Sequence, residues 1–250
     1  MRREQQEQDM EYSFPYHYIP QYKDGFTQNY NWIWSKQYVS AIEFILDEIK
    51  SSKEAVKSIC DLGCGDGRLT KELAECFVDK DVAGIDYSSR AINLAKALNP
   101  NINYIKQDII NDTIERKFDA ITLIEVFEHI PLELCNDFVK STSKILNNNG
   151  ILYLTVPHIN NPVNDKHFQH FNSKKLMDLL GKYFSDIKFI PFDLMSRMMR
   201  FLEIIKGGQG KYYLITNNQI MHFFYRTYIN HYLYCPSEER CMRIAAVCKK

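Results

Sequence analysis

The sequence predicts an α/β protein built on a doubly wound, mostly parallel sheet. Three observations predict it. Short apolar runs alternate with stretches of helical spacing through the middle of the chain. The first of these runs ends in a glycine-rich turn, Asp61-Leu-Gly63-Cys-Gly65-Asp-Gly67, that opens a helix. The second ends in an acid, Asp86, where such sheets place a ligand-binding carboxylate.

Composition sets the bounds. The chain has 250 residues, enough for one α/β domain with appendages and a sizeable core. Lys and Arg together number 31, as do Asp and Glu, so the net charge is zero. That gives no support to bulk electrostatic binding of nucleic acid or anionic lipid. A hydrophobic fraction of 45% rules out disorder of the whole chain. No apolar stretch is long enough to span a membrane. The N-terminal run Met1-Arg-Arg-Glu-Gln lacks the apolar core of a secretory signal. The seven cysteines are odd in number and form no CxxC pair, so reduced thiols in a cytoplasmic protein are expected. Cys60 and Cys64 belong to the strand and turn around them rather than to a metal pair.

The elements follow in order. Residues 1–11 are polar. Residues 12–34 are rich in aromatics and broken by Pro15 and Pro20, which reads as a cover that packs on something. Helical spacing of Tyr38, Ile42, Ile45, Leu46 and Ile49 predicts a helix over 35–51. Ser58–Leu62 is the first strand and 69–77 the helix after the glycines. Strands at 82–85, 102–105 and 118–124 follow, with a helix at 91–98. Pro131 heads a helix to about Leu146, stopped by Asn147-Asn-Asn-Gly150. Strand 151–156, a helix capped by Ser173, and late strands at 184–190 and 242–247 complete the set. Three segments result: a cover and helix at 1–54, a core domain at 55–194 and 237–250, and a helical insertion at 195–236. The insertion mixes Met, Phe and Tyr with Arg and Lys, and reads as edge packing or as a lid over a substrate.

The glycine turn lets a ligand approach the backbone closely. Its spacing is GxGxG with Asp61 just before it, which brings an acid toward the ligand. A pyrophosphate would be repelled there, whereas a ligand bearing an ammonium group suits it. Asp86 can accept hydrogen bonds from two ribose hydroxyls, and Asp108 after the third strand can reach an adenine amino group. A tight turn without ligand is the plain alternative for the glycines alone.

With these pieces, and with Gly84-Ile-Asp-Tyr-Ser88, Gln107-Asp-Ile109, Phe118–His129 and Leu152–Pro157, the sequence resembles the class I S-adenosylmethionine-dependent methyltransferases over about residues 55–192 plus the last strand. The resemblance implies a Rossmann-like sheet of seven strands, with helices on both faces and the last strand antiparallel. It implies S-adenosylmethionine as cofactor, with Asp61, Gly63, Gly65 and Gly67 along its methionine part. Asp86 would hold the ribose, Tyr87 stack near the adenine, Asp108 and Ile109 frame the base, and Glu125 touch the cofactor amine.

Methyl transfer from a sulfonium is an in-line displacement, so the protein supplies mainly position and electrostatics. A hydroxyl acceptor must also lose a proton, to a base or with the help of a metal. Glu125-Val-Phe-Glu128-His129 follows the fourth strand, His158 follows the fifth, and His167-Phe-Gln-His170 follows in the next loop. This pattern resembles the ubiquinone-biosynthesis O-methyltransferases and their small-molecule and glycan-modifying relatives. It also resembles the small-RNA 3′-terminal ribose 2′-O-methyltransferases, where it implies a divalent metal held by Glu125, Glu128, His129 and His170. Without a metal, His129, His158 or His170 is the candidate base. The expected reaction is O-methylation of a hydroxyl on a small molecule, sugar or lipid-linked intermediate. The alternatives are a metal-dependent RNA ribose methyltransferase, which the zero net charge disfavours, and a cofactor-binding protein without turnover. The partner expected is a small-molecule or glycan acceptor, with contact to a membrane surface left open.

Overall fold

The computed structural model describes residues 6, 9–23, 26–28, 32–52, 55–163, 166–197 and 217–250. A short antiparallel hairpin, β1 (Gln21–Lys23) and β2 (Phe26–Gln28), precedes helix α1 (Trp32–Ser51). The core then runs β3 (Ser58–Leu62), α2 (Arg68–Cys76), β4 (Asp81–Asp86), α3 (Ser89–Leu98), β5 (Asn103–Lys106) and β6 (Phe118–Ile124). It continues through α4 (Cys135–Lys144), β7 (Leu146–Pro157), α5 (Ser173–Leu180), β8 (Asp186–Leu194), α6 (Asn218–Tyr232) and β9 (Cys241–Lys249).

Seven strands form one sheet in the order β5-β4-β3-β6-β7-β9-β8. The first five are parallel, and β9 is antiparallel to both β7 and β8. The expected seven-stranded, doubly wound sheet with an antiparallel last strand is therefore the one observed. Chain order reverses between β3 and β6, and that switch point is where such sheets open a crevice at their carboxyl ends.

The near-continuous apolar strands make sense because both faces are covered. Side chains alternate across the sheet. Ile59, Ala120, Tyr153 and Ala245 pack with Phe44 and Ile45 of α1, Leu73 of α2 and Tyr225 of α6. Cys60, Ile121, Leu152 and Ala246 point the other way, onto Phe138 and Val139 of α4 and Leu176 and Leu180 of α5. Each such fully buried large side chain contributes about 1.5–3 kcal/mol of transfer free energy.

Several boundaries differ from the sequence expectation. The Asn-rich stop at 147–150 lies inside β7, where the register against β6 shifts between Phe118 and Ala120 and Asn149 has φ 63°. Those polar residues end α4 at Lys144 and then form a bulge rather than a loop. Pro131 precedes a 3-10 turn at Leu132–Leu134, and the helix proper starts at Cys135. Asn172, not Ser173, caps α5, its side-chain oxygen accepting from the Lys175 amide at 2.9 Å. Strand β8 reaches Leu194 although Pro191 lies within it; β8 is an edge strand, where a missing amide proton is tolerated. The insertion's described helix, α6, packs its buried Met221, Tyr225 and Tyr228 on the sheet face that α1 covers. None of its residues lines the cavity at the strand ends. Residues 198–216 of the insertion lie outside the described residues.

Candidate active site

A cavity of about 1270 Å³ opens at the carboxyl ends of β3, β4 and β6. Gly63, Gly65 and Gly67 all take left-handed φ values, of 77°, 54° and 85°. At Gly65 the requirement is double: a Cβ there would also sit 2.7 Å from the Tyr12 hydroxyl. Such backbone is open to glycine and strained for other residues.

Two carboxylates frame the turn. Asp86 accepts from the Gly65 amide at 3.0 Å and from the Ser88 amide at 2.8 Å. It is 6% exposed, and burial raises its pKa against the lowering effect of those amides. Asp61 accepts from the hydroxyls of Thr70 (2.7 Å) and Thr122 (3.2 Å). Burial pushes its carboxyl up to about 7 in spite of these two bonds. Asp61, Tyr87, Asp108 and Ile109 all reach the same cavity wall. Asp108 turns its loop by accepting from the Ile110 amide at 2.9 Å. The expected cofactor residues are thus brought together around one cavity, with Gly67 one step back, where a Cβ would meet Tyr104 and Ala95.

The opposite wall carries the Glu-x-x-Glu-His stretch. Glu125 follows β6 with φ 51°, and its carboxylate pairs with Arg243 of β9 at 2.5 Å and accepts from the Thr155 hydroxyl at 3.1 Å. Arg243 is 2% exposed and also donates to the Gln37 carbonyl. Burial alone would lower its pKa, but Glu125 and Asp193 raise it. Glu128 is 1% exposed, and its Oε2 has no hydrogen-bond partner. Burial, reinforced by Glu125, pushes its carboxyl well above the usual range.

The imidazoles divide into two groups. His129 Nδ1 contacts the Lys166 carbonyl at 2.9 Å, and His167 Nδ1 contacts His170 Nε2 at 2.7 Å. Burial lowers the pKa of all three rings, that of His167 to about 3. Among the described residues, one group could hold a metal ion: Glu128, His129 and His167, with ligand atoms within 4.8 Å of one another. The four ligands Glu125, Glu128, His129 and His170 do not converge as a set. Glu125 is engaged by Arg243, and His170 stands behind His167. His158 is elsewhere: 3% exposed, it pairs with Glu238 at 3.1 Å and accepts from the Asn160 amide, and it does not line the cavity. Its role as a base is not supported by this placement, because its ring ties β7 to the approach of β9.

Sequence reasoning missed Arg243, and it read the N-terminal segment as a cover without saying what it covers. Tyr12, Tyr16, Trp34 and Tyr38 close the cavity from the cover side. The cover is fastened by His17, whose amide and ring both meet Asp66 of the glycine turn, and by Arg68, which donates to the His17 and Pro20 carbonyls. Asp9 reaches Ser88 and Arg90, and Glu11 reaches Lys166. The lone signal for Arg243 in the sequence is a charge inside the apolar run Met242–Val247.

Comparison with known proteins agrees with this geometry. A family model described as a methyltransferase domain matches residues 33–233. A ubiquinone biosynthesis O-methyltransferase of Pelagibacter ubique is 33% identical over 118 residues, covering 43% of this chain and 45% of that protein. A putative methyltransferase of Invertebrate iridescent virus 6 is 35% identical over 85 residues, 34% of this chain and 31% of the relative. The chain therefore spans less than half the length of these curated relatives. Among solved structures, an S-adenosylmethionine-dependent methyltransferase from Archaeoglobus fulgidus superposes with a TM-score of 0.58 at 15% identity, covering 86% of this chain and 94% of that one. The N-methyltransferase NodS of Bradyrhizobium japonicum, solved with S-adenosyl-L-homocysteine, gives 0.51 at 16% identity over 82% and 84%. These two likenesses concern the fold.

Proposed function

This chain belongs to the methyltransferase-domain family, and from that premise we propose that it transfers a methyl group from S-adenosylmethionine to a hydroxyl on a small molecule, sugar or lipid-linked intermediate. One observation carries the reading: the glycine turn with Asp86 and the Glu128, His129 and His167 group open into the same cavity. A cofactor held by the first would present its methyl group toward the second. The likeness to ubiquinone biosynthesis O-methyltransferases supports oxygen as the acceptor atom.

Transfer of the methyl group releases S-adenosylhomocysteine and the hydroxyl proton. Position supplies much of the rate, since the sulfonium is already reactive. The proton needs an acceptor near the methyl group. Both ring systems at that wall are neutral, and His129 is the better placed acceptor, because burial lowers His167 to about 3 and makes it a weak base. The same residues fit a divalent cation, because Glu128 leaves a buried oxygen without a partner beside two ring nitrogens. Mixed oxygen and nitrogen ligands suit Mn, Fe, Co or Zn. A bound cation would lower the pKa of the acceptor hydroxyl. The aromatic wall of Tyr12, Tyr16, Trp34 and Tyr38 favours an acceptor with a flat apolar part.

The test measures S-adenosylhomocysteine release with catechols, hydroxybenzoates and sugars as acceptors, with and without chelator. Turnover of a hydroxyl compound that Glu128→Gln or His129→Ala abolishes, with cofactor affinity retained, supports the reading. Turnover of amines alone would overturn it.

A further inference from the structure

We propose that His170 is a positioning residue that fixes the tautomer of His167, so that His167, and not His170, joins Glu128 and His129 as a ligand of the divalent cation. The inference rests on the metal reading above.

It follows from three hydrogen bonds read in sequence. His170 Nδ1 lies 2.7 Å from the Asn161 carbonyl oxygen. A carbonyl only accepts, so the His170 proton sits on Nδ1 and Nε2 holds a lone pair. His167 Nδ1 lies 2.7 Å from that Nε2, so it carries the proton and donates. The lone pair of His167 is thereby moved to its Nε2. The same logic holds at His129, whose Nδ1 lies 2.9 Å from the Lys166 carbonyl. Both rings then offer Nε2 lone pairs, in the group that also contains the buried Glu128 carboxylate. Outer hydrogen bonds of this kind fix ring orientation and raise ligand basicity at metal-bound histidines.

The chain of bonds has a firm anchor. The Asn161 amide donates to the His158 carbonyl at 2.9 Å. The neighbouring Asn160 side chain donates to the carbonyls of Glu238, Glu239 and Cys241 at the approach to β9. The backbone that leads to the carbonyl orienting His170 is thus held by the Asn161 amide and the Asn160 side chain. His170 itself is 2% exposed.

Two measurements test this. Long-range ¹H–¹⁵N spectra of the metal-free protein report which nitrogen carries each ring proton. The expected result is an Nδ1–H tautomer at His129, His167 and His170. A protonated Nε2 on His167 would overturn the inference. Co²⁺ titration followed by visible absorption then reads the site without any acceptor. His170→Ala should weaken Co²⁺ binding about 10- to 100-fold and return His167 to the Nε2–H form. His170→Gln, whose amide oxygen can accept from His167, should recover most of that loss. Equal losses in both variants, or no loss in either, would overturn it. Wild-type protein that takes up no Co²⁺ overturns the metal reading and with it the ligand role, while the nitrogen shifts still decide the tautomer.

Discussion

The two halves of the cavity are built in different ways. On the side of the glycine turn, several supports are close in sequence. Asp86 is bonded by the amide two residues on, and the glycine turn runs directly into α2. On the acceptor side, the contacts cross the whole chain. Arg243 joins Glu125, and its other bond goes to Gln37, 206 residues away in sequence. Glu11 meets Lys166 across 155 residues. A site made of local turns can be inherited as a short motif, whereas a site made of distant pairs can be rebuilt by changing one partner.

The largest effect expected from this contrast is at Arg243. It is buried among Glu125, Asp193 and the face of Phe192. Arg243→Met would leave buried carboxylates with less compensation, and removing one partner of such a pair costs about 3–5 kcal/mol. Urea unfolding should show that loss. The second variant, Arg243→Met with Asp193→Asn, should be less destabilised than the sum of the singles, since the two groups share one network. Additive losses would mean that the acceptor half is not held by this network.

At Asp86 the effect should fall on binding instead. Asp86→Ala is expected to weaken S-adenosylhomocysteine binding by about 1.5–3 kcal/mol, the scale of hydrogen bonds to a charged group. Calorimetry reads it directly. Stability should change less than in the Arg243 variant, because the lost carboxylate was itself costly to bury. An unchanged affinity would remove Asp86 from the ribose role and break the comparison at its better-defined end.

The same contrast explains what was legible. The strands and the glycine turn could be read because each is written in consecutive residues, as a short apolar run or as a fixed turn. The strand ends were less legible where polar residues occupy a bulge, as at Asn147–Gly150, or where proline sits on an edge, as at Pro191. The acceptor side was legible in residue type but not in role. His167 and His170 lie three apart in an irregular loop, and no period tells which ring faces the cavity. The insertion offered Met and Tyr at helical spacing, which serves a lid and a packed helix equally well. The cover offered aromatics without a pattern, yet it is what closes the cavity.

An effect spread over several pH units should appear at Asp61. Its folded pKa is raised to about 7, against an unfolded value of about 3.9. The native state therefore binds the proton more tightly than the unfolded chain. Stability from this group is fully present below the unfolded value and declines as pH rises toward 7, by at most about 1.4 kcal/mol per pH unit. Asp61→Asn removes that slope. Unfolding free energies of wild type and variant, compared between pH 4 and pH 8, should converge at low pH and diverge in the variant's favour at high pH. Saturating S-adenosylmethionine should flatten the wild-type slope, because its ammonium group offsets the carboxylate. A pH-independent difference would show that the hydroxyls of Thr70 and Thr122 already compensate the buried charge.

The smallest effect belongs to the strap that joins the two halves. Asp9 fastens the cover to the start of α3 through Ser88 and Arg90, at a partly exposed position. Exposed pairs of this kind are worth about 0–1 kcal/mol, so Asp9→Ala should barely move the unfolding midpoint. Its consequence should be kinetic. Tyr12 lies against Gly65, and Trp34 lines the same cavity, so cofactor passing the cover should change their fluorescence. Loosening one fastening of several should raise the rate of cofactor release by about 2- to 5-fold, the equivalent of up to 1 kcal/mol. Stopped-flow displacement of S-adenosylhomocysteine measures it. A rise of a hundredfold would make Asp9 the main latch, with the cover belonging to the cofactor half. No change would assign the cover to the acceptor half alone, with the cofactor entering from the Asp108 side.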